Sequence, residues 1–264
     1  MPGAAIHPAI ARTAHDGVLR VLSLNIQVGH QSTTYRHYFT QAWKHVLPAR
    51  SMHANLDRIA ELIAQYDVVA LQEADAGSFR TQQINQVSYL AEKAGFYWWH
   101  AAVNRDLRPL AQHCLGVLSR VPMQVVAHHR LPGLRGRGAL ELELQPAGCK
   151  PLHLIVAHLA LNRAARVLQL AHLARLACAY PRTLIVGDLN CDHAELHAHS
   201  GYCEAGLRTL HEAPTWPSWK PLRSIDHALA TPGLTTRMVQ VLAERVSDHL
   251  PVATEILLDM DPLP

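Results

Sequence analysis

The chain alternates between short apolar runs and longer stretches in which apolar residues recur every three or four positions. The short runs predict strands, most of them too apolar to be half exposed. In chain order these runs are VLRVLSLNI, DVVALQEA, HCLGVLSR, GALELEL, LHLIVAHLAL, RTLIVGDLN, SIDHALAT and VATEILL. The stretches MHANLDRIAELIAQY, INQVSYLAEKAG and RAARVLQLAHLARLACAY predict helices, the second stopped by Gly95 and the third before Pro181. This alternation favours an α/β protein whose sheets are covered by helices.

Two segments depart from that pattern. GALELEL alternates apolar and acidic residues, which predicts a strand with one face in water. The irregular stretch GHQSTTYRHYFTQAWKHVLPARS follows the first strand and serves either as a lid or substrate wall, or as a helix packed on the edge of the fold. Its notable side chains are Tyr35, His37, Tyr38, Phe39, Trp43 and Lys44. We expect only that part of this stretch lines a cleft.

Composition narrows the class of protein. The chain has 264 residues, of which 49% are hydrophobic and 17% charged, so it can bury a sizeable core. No repeat or linker divides it, and we expect one domain over residues 1–264, with residues 1–16 as a flexible extension. The net charge of +3 fits an anionic substrate weakly, and no block of like charges forms a basic tail. Most of the 19 histidines are expected at the surface.

Cysteine usage and the N-terminus bear on the compartment. Five cysteines, an odd number at spacings that match no zinc ligand set, predict reduced thiols. The first twenty residues lack the charged start and apolar run of a signal peptide. No apolar run approaches the roughly 18 residues of a membrane span. We therefore expect a soluble, cytoplasmic protein with no stable protein partner implied.

Polar residues close or interrupt the apolar runs. They are Asn25, Glu73, His158, Asp188, Asn190, Asp226, Asp248 and His249. Ionisable groups are costly to bury unless they are paired or bind a metal, so their recurrence at strand ends predicts one convergent site. Carboxylate and amide oxygens favour Mg²⁺ or Mn²⁺ over zinc. Glu73 is the best ligand, with Asn25 and Asp248 as helpers.

The same residues carry a resemblance to a known family. The motifs SLNIQ, LQEAD, AHLAL, GDLN, SIDHAL and SDHLPV, in that order, resemble the motif series of the endonuclease/exonuclease/phosphatase superfamily, the fold of pancreatic deoxyribonuclease. They span about residues 18 to 257, nearly the whole chain. The resemblance implies a four-layer α/β sandwich of two central mixed β-sheets flanked by helices. It also implies metal-dependent hydrolysis of phosphate esters.

The resemblance further implies a role for each motif residue. Asn25 and Glu73 resemble the metal-site pair and Asp248 the last metal-site carboxylate, with Mg²⁺ as the expected ion and Mn²⁺ as a substitute. His158 resembles the histidine that contacts the scissile phosphate. The plainer alternatives are a turn-capping role for Asn25 and a satisfied core position for His158.

Asp188, Asn190 and the Asp226–His249 pair complete the implied machinery. Asp188 resembles the residue that orients or deprotonates the attacking water, and Asn190 its phosphate-binding neighbour. Strand alternation would put these two side chains on one side, although a simple Asx turn is the alternative. Asp226 would fix the tautomer of His249 and favour its protonated form. His227 should face away and be structural.

Further residues are candidates for substrate binding. They are Gln27, Asn104, His113, Arg137, Trp216 and Trp219. Gln27 lies two residues past Asn25, and Arg137 lies with Arg135 in a glycine-rich turn that could equally be a solvated hairpin. The tryptophans of PTWPSWKP either stack on a base or lipid surface, or brace their own loop.

The first hypothesis for function is a Mg²⁺-dependent phosphodiesterase that acts on nucleic acid, as an endonuclease or exonuclease on DNA or RNA. The alternative keeps the chemistry but takes a phospholipid head group, a phosphoinositide or a small nucleotide. A third hypothesis, a binding protein that has lost catalysis, fits a complete motif set least well. The loops that select the substrate are known here only by composition.

Overall fold

The computed structural model describes residues 17–29, 50–133 and 136–260 of the protein. Within these ranges the apolar runs form two six-stranded mixed sheets. The strands are β1 Val18–Asn25, β2 Val68–Asp75, β3 Trp98–Leu107, β4 Ala111–Ser119, β5 Met123–Arg130, β6 Gly138–Leu144, β7 Leu152–His158, β8 Thr183–Asp188, β9 Arg208–Thr209, β10 Asp226–Ala230, β11 Thr236–Val241 and β12 Val252–Leu257. The predicted α/β class is therefore confirmed.

Each sheet has a parallel pair next to its centre. The first sheet has the order β11-β12-β1-β2-β4-β3, and β1 pairs with β2 in parallel. The second has the order β5-β6-β7-β8-β10-β9, and β7 pairs with β8 in parallel. The remaining neighbours are antiparallel. Parallel neighbours bring their carboxyl ends to the same edge of a sheet, which is where the polar motif residues lie.

Helices cover the outer faces of both sheets. They are α1 Arg50–Ile63, α2 Gln86–Ala94, α3 Arg163–Cys178, α4 His193–His197 and α5 Ser200–Glu204. Helix α2 begins at the Asn85 cap and ends at Gly95, whose left-handed conformation (φ 70°) suits a glycine. Helix α3 begins at the Asn162 cap and ends before Pro181, as its pattern predicts. None of the helices in the described part of the chain is long and apolar enough to cross a membrane.

Three apolar clusters show that the layers number four. Between the sheets, side chains such as Leu19, Ala70 and Leu154 form the central core. Outside the first sheet, α1 and α2 pack their apolar faces on Leu22, Leu71 and neighbouring residues. Outside the second sheet, α3, α4 and α5 do the same. The four-layer sandwich is thus confirmed, and burial on both faces explains why most strands are continuously apolar.

The expectation of a solvent-exposed face on GALELEL is wrong. In β6, Glu141 is only 5% exposed and Glu143 is half-buried. The Glu141 carboxylate bonds His129 of β5 through Oε2 (2.5 Å) and His153 of β7 through Oε1 (2.8 Å). Paired in this way, the charge lies under the helical layer instead of in water.

Some expectations fall outside the described ranges. These are the N-terminal extension, residues 1–16, Arg135, and the irregular stretch after the first strand, expected to be either a lid or substrate wall or an edge helix, with Tyr35, His37, Tyr38, Phe39, Trp43 and Lys44.

Candidate active site

Strand ends from both sheets meet at one edge of the sandwich. Asn25 ends β1, and Glu73 lies near the end of its parallel neighbour β2. In the second sheet, Asp188 is directly paired with His158 in parallel register and with Asp226 in antiparallel register. Topology alone therefore brings these residues, far apart in sequence, to one rim.

A β-bulge aims Glu73 at this rim. Relative to β4, the register of β2 shifts between Leu71 and Ala74, so that two residues, Gln72 and Glu73, stand where one is expected. Alternation would place Glu73 on the same face as Leu71, which packs under the helices. Glu73 instead has φ 54°, a left-handed conformation that costs free energy in most residues, and its carboxylate lies 3.6 Å from His158 Nε2. Strain at this residue is consistent with a functional constraint.

Asp188 is the most connected carboxylate of the site. Its Oδ2 accepts a hydrogen bond from Asn25 Nδ2 (3.2 Å) and lies 3.4 Å from His158 Nε2. The preceding Gly187 has φ 139°, and a Cβ there would lie 2.0 Å from the Ala157 carbonyl oxygen. Only glycine allows β7 and β8 to approach so closely, which fixes His158 beside Asp188.

Asn190 reaches its position by a turn, and the expectation of strand alternation for this pair is wrong. Strand β8 ends at Asp188, and Asn190 has a left-handed backbone (φ 54°). Its N–H donates to Asp188 Oδ1 (3.0 Å), which is the Asx-turn bond, and its Nδ2 donates to the Leu159 carbonyl (3.0 Å). Asn190 therefore ties Asp188 to the segment after β7, and its contact with phosphate stays a prediction.

Asp226 and His249 form a buried pair. His249 Nδ1 lies 2.8 Å and 3.0 Å from the two Asp226 oxygens, and Asp226 Oδ2 also accepts from Thr215 Oγ1 (2.5 Å). Burial disfavours the imidazolium, but the charge and hydrogen bond of Asp226, with the charge of Asp188, raise the pKa of His249 well above its ordinary value. His249 is thus positively charged at neutral pH, and its Nε2 lies 4.0 Å from Asp188 Oδ2.

The other ionisable groups are shifted by burial and by each other. Burial, with the neighbouring charges of Asp226 and Glu73, raises the pKa of Asp188. Burial also raises the pKa of Asp248, and it lowers the pKa of His158 to about 3. For Glu73, burial acts upward, but the nearby histidines, the Asn25 amide and an arginine lower its pKa overall. Carboxylates therefore outnumber the positive groups that face them.

This surplus of oxygen donors fits a divalent cation. One possible ligand atom each from Glu73, His158 and Asp188 lies within 4.8 Å of the others, and the same holds for Asp188, Asp226 and His249. Asp248 Oδ1 is buried without a hydrogen-bond partner among the described residues. Carboxylate oxygens of this kind suit hard cations. The residues present therefore fit a metal whose identity the geometry does not select.

The helper residues next to Glu73 are also held in place. Asn25 Oδ1 accepts the Gln27 N–H (3.1 Å), so the Asn25 amide nitrogen is the group turned toward Asp188. Ser247 Oγ donates to the Asn25 carbonyl (2.6 Å) and accepts the His249 N–H (3.0 Å). These bonds join β1 to the segment that carries Asp248 and His249. Ligation by Asn25 through its oxygen stays a prediction.

The proline-framed tryptophan loop braces the site. Trp216 Nε1 donates to Asp248 Oδ2 (3.4 Å), and the Arg223 guanidinium lies 5.9 Å from the Trp216 ring. Ser218 N–H donates to the Asp248 carbonyl (2.8 Å). Both Trp216 and Trp219 are half-buried. Of the two readings of this loop, these contacts favour bracing over an exposed stacking platform.

A cleft of about 380 Å³ adjoins Glu73 and His158. Three of the expected substrate-binding residues, Asn104, His113 and Arg137, line it, and an Arg137 Nη contacts His158 Nε2. His227 takes no part, because it is fully buried and its Nε2 bonds the Cys191 carbonyl (2.8 Å).

Sequence reasoning missed several residues that support the site. Thr215 was seen only as part of an aromatic segment, yet it bonds Asp226. Arg80 bonds the fully buried Asp75 (2.6 Å) and contacts the His113 ring. The sequence signal for Arg80 was its position a few residues after Glu73 and Asp75, the two acidic residues of LQEAD.

Comparisons with known proteins agree with this geometry. Residues 22–249 match the model of a family described as the Endonuclease/Exonuclease/phosphatase family. The chain is similar to YbhP of Escherichia coli strain K12, with 28% identity over 212 residues, covering 73% of this chain and 83% of that protein.

Solved structures show the same fold. An endonuclease/exonuclease/phosphatase from Beutenbergia cavernae has a TM-score of 0.69 at 22% identity, with 92% of this chain and 72% of that chain covered. The mannosyl-6-phosphatase of Bacteroides thetaiotaomicron has a TM-score of 0.65 at 16% identity, with 90% and 99% covered.

Proposed function

Because the chain belongs to the endonuclease/exonuclease/phosphatase family, we propose that it is a Mg²⁺-dependent hydrolase of phosphodiester bonds, with nucleic acid as its first candidate substrate. One observation carries the proposal. Asp188 stands between two clusters, one with Glu73 and His158 and the other with Asp226 and His249. A water on Asp188 would face a phosphate held between these clusters.

Glu73 and Asp248, with Asn25, are the residues that would hold the cation, and Asp188 would act on the water. When bound, the cation would neutralise charge on the phosphate oxygens. Mn²⁺ is expected to substitute for Mg²⁺, since both take oxygen ligands.

The reaction is hydrolysis by an in-line water. Asp188 orients the water and takes one of its protons as the water oxygen bonds to phosphorus. The bond from phosphorus to the leaving oxygen breaks, that oxygen takes a proton from solvent water, and Asp188 returns the proton that it accepted to the solvent. His249, charged and held by Asp226, donates to a phosphate oxygen and stabilises the negative charge that develops. Neutral His158 and Asn190 complete the contacts to the phosphate.

Two substrate classes are candidates, and a different observation supports each of them. The basic residues Arg105 and Arg137 beside the site favour a nucleic acid strand, whose backbone is polyanionic. The modest size of the cleft favours the second candidate, a small phosphoester. The mannosyl-6-phosphatase relative is named for such a compound.

A substrate panel tests the proposal. Plasmid DNA, single-stranded DNA, RNA, sphingomyelin, an inositol phosphate and bis(p-nitrophenyl) phosphate would each be incubated with Mg²⁺, Mn²⁺ or EDTA. We expect cleavage of bis(p-nitrophenyl) phosphate and of a nucleic acid with either ion, and none with EDTA. Cleavage of the small compounds alone would shift the function to the second candidate, and cleavage of nothing would contradict hydrolysis.

The matched variants are Asp188→Asn and Asp192→Asn. Loss of the Asp188 carboxylate should lower kcat by about 10²–10⁴-fold, the usual range for general base catalysis. Asp192 caps α4 through its side chain, and asparagine caps equally well, so Asp192→Asn should keep full activity. Equal rates for both variants would rule out the role given to Asp188.

A further inference from the structure

The cleft beside Glu73 and His158 has a wall of a different chemical character from the catalytic rim. Asn104 and Arg105 of β3 line one side, and Arg137, in the connection between β5 and β6, lines another. The catalytic rim is rich in carboxylates, whereas this wall presents two guanidinium groups and an amide. The two ends of the cleft therefore differ in charge.

The wall is built by a bulge and two glycines. The register of β3 against β4 shifts between Val103 and Arg105, which sets Asn104 out of the regular ladder. A Cβ on Gly136 would lie 3.1 Å from Arg105 Cδ, and one on Gly138 would lie 2.4 Å from Asn104 Oδ1. The glycines thus let the β5–β6 connection pack directly on both side chains. This close packing fixes the position of the wall.

The positive charge of Arg105 in this wall has no carboxylate partner in the described part of the chain. Among the described residues, neither Arg105 nor Arg137 forms an ion pair, whereas Arg80 behind the cleft is paired with Asp75 at 2.6 Å. Burial, with the charges of Arg80 and Arg105, lowers the pKa of His113, which lines the same cleft. His113 therefore adds a neutral hydrogen-bonding group. Arg137 already contacts His158 and its charge acts on Glu73, so Arg105 is the arginine left for an anion away from the catalytic rim.

Helix α3 adds to the positive electrostatic potential at the basic wall. Its cap residue Asn162 lines the cleft, and its first turn contains no acidic residue. The N-terminus of a helix carries a partial positive charge that favours anions. This contribution supports the two arginines and does not act alone.

We propose that this basic wall binds a second phosphate group of the substrate, one sugar unit away from the phosphate that is hydrolysed. The inference rests on the proposed function, because the catalytic rim must hold the scissile phosphate. Arginine forms paired, charge-assisted bonds to phosphate oxygens, and Arg105, an exposed residue that lines the cleft, can form them. A cleft of about 380 Å³ is near the small end of ligand sites, which fits one nucleoside or sugar between two phosphates.

A matched pair of substrates tests the proposal. Thymidine 5′-(p-nitrophenyl phosphate) and its 3′-phosphorylated form differ only in the second phosphate, and hydrolysis of either releases p-nitrophenol. We expect kcat/KM to be roughly ten- to hundredfold higher for the 3′-phosphorylated form, the range for a hydrogen bond between charged groups. In Arg105→Gln this ratio should fall toward one.

Arg108→Gln is the control variant. Arg108 lies at the end of the same hairpin, is exposed, and pairs with Asp106 (2.8 Å), so its loss should leave the ratio unchanged. Competitive inhibition tests two other positions of the second phosphate. The inhibition constant of adenosine 5′-phosphate is compared with those of adenosine 2′,5′-bisphosphate and adenosine 3′,5′-bisphosphate. Tighter inhibition by either bisphosphate, lost in Arg105→Gln, supports the proposal.

The outcomes separate this inference from the proposed function. If both thymidine compounds are hydrolysed equally and no bisphosphate inhibits better than adenosine 5′-phosphate, the second-phosphate site is wrong while the hydrolase stands. If Arg105→Gln keeps the wild-type preference, the site is wrong as well. If neither compound is hydrolysed with Mg²⁺ or Mn²⁺, the proposed function fails first.

Discussion

Among the described residues, two groups of carboxylates and histidines, one inside a sheet and one at the rim, are satisfied to different degrees. Under the helical layer, Glu141 has each oxygen bonded by one histidine, His129 at 2.5 Å and His153 at 2.8 Å. At the rim, the carboxylates of Glu73, Asp188, Asp226 and Asp248 lie near two histidines and Arg137 of the described residues. One of the rim oxygens, Asp248 Oδ1, has no partner among the described residues.

Position in the strand accounts for the difference. Glu141 lies in the middle of β6, where neighbouring strands and α3 enclose it, and His172 of α3 contacts His129 (3.3 Å). Asp188 and Asp226 lie at strand ends, and Glu73 and His158, which adjoin Asp188, line an open cleft. Burial of charge alone therefore does not mark a functional site. An excess of negative charge next to a cleft does mark such a site, because this excess requires a cation from the solvent.

Glu73→Gln should have the largest effect and tests this distinction most directly. Removing this carboxylate reduces the excess negative charge at the rim, so Mn²⁺ binding should weaken. The kcat/KM on bis(p-nitrophenyl) phosphate should fall by about 10³-fold, since metal catalysis contributes several kcal/mol. Calorimetric titration with Mn²⁺ and steady-state kinetics measure both effects.

Glu141→Gln is the matched control from the satisfied group. It should bind Mn²⁺ and turn over substrate as the wild type does, when assayed well below its unfolding temperature. Wild-type metal affinity and rate in Glu73→Gln would show that the rim carboxylates do not form a cation site.

The rim was predictable from the sequence because its residues mark strand ends. The structure adds the parallel pairing of β1 with β2 and of β7 with β8, which brings Asn25, Glu73, His158 and Asp188 together. The bulge that turns Glu73 was not predictable, since alternation alone places that side chain under the helices. A register shift depends on pairing between strands, which a single strand's residues do not reveal.

The same dependence on pairing between strands explains the other features that the sequence did not predict. The GALELEL prediction failed because the partners of Glu141 come from β5 and β7. Ala127 and Ile155 are directly opposite Glu141, and only the strand register places His129 and His153 diagonally next to it, two positions along. Strands β3, β5 and β11 are less apolar and were not identified, although β5 alternates regularly between half-buried and exposed positions. The place of Arg105 beside Asn104 in the cleft wall depends on the β3 bulge, which is also a matter of strand pairing.

Asp226→Asn should have the next largest effect, about 10²-fold on kcat, because His249 loses the group that orients and charges it. Since Asp226 raises the pKa of His249, the wild-type rate should decline as pH rises through that elevated value. Without the carboxylate the pKa of His249 falls, so the alkaline decline should begin at lower pH. A pH–rate profile measures this, and an unshifted alkaline limb would contradict the role of the pair.

Glu141→Gln should reduce stability while leaving the chemistry intact. One carboxylate oxygen becomes an amide group that faces a histidine donor, and an unsatisfied buried group costs about 1–3 kcal/mol in the free energy of unfolding. Urea unfolding should show a lower midpoint with an unchanged slope. Stability equal to the wild type would mean that the Glu141 group contributes nothing net, as some buried ion pairs do.

Trp216→Phe should have the smallest effect and separates the two interpretations of the tryptophan loop. The variant keeps the ring but removes the 3.4 Å hydrogen bond to Asp248, leaving that carboxylate with less support. A bond of this length contributes at the low end of about 0.5–1.5 kcal/mol, so kcat/KM should fall about two- to threefold on every substrate alike. Trp216→Ala, compared on bis(p-nitrophenyl) phosphate and single-stranded DNA, supplies the contrast. If it raised KM only for DNA by about tenfold, the range for a lost base stack, the ring would bind bases and the bracing interpretation would be wrong.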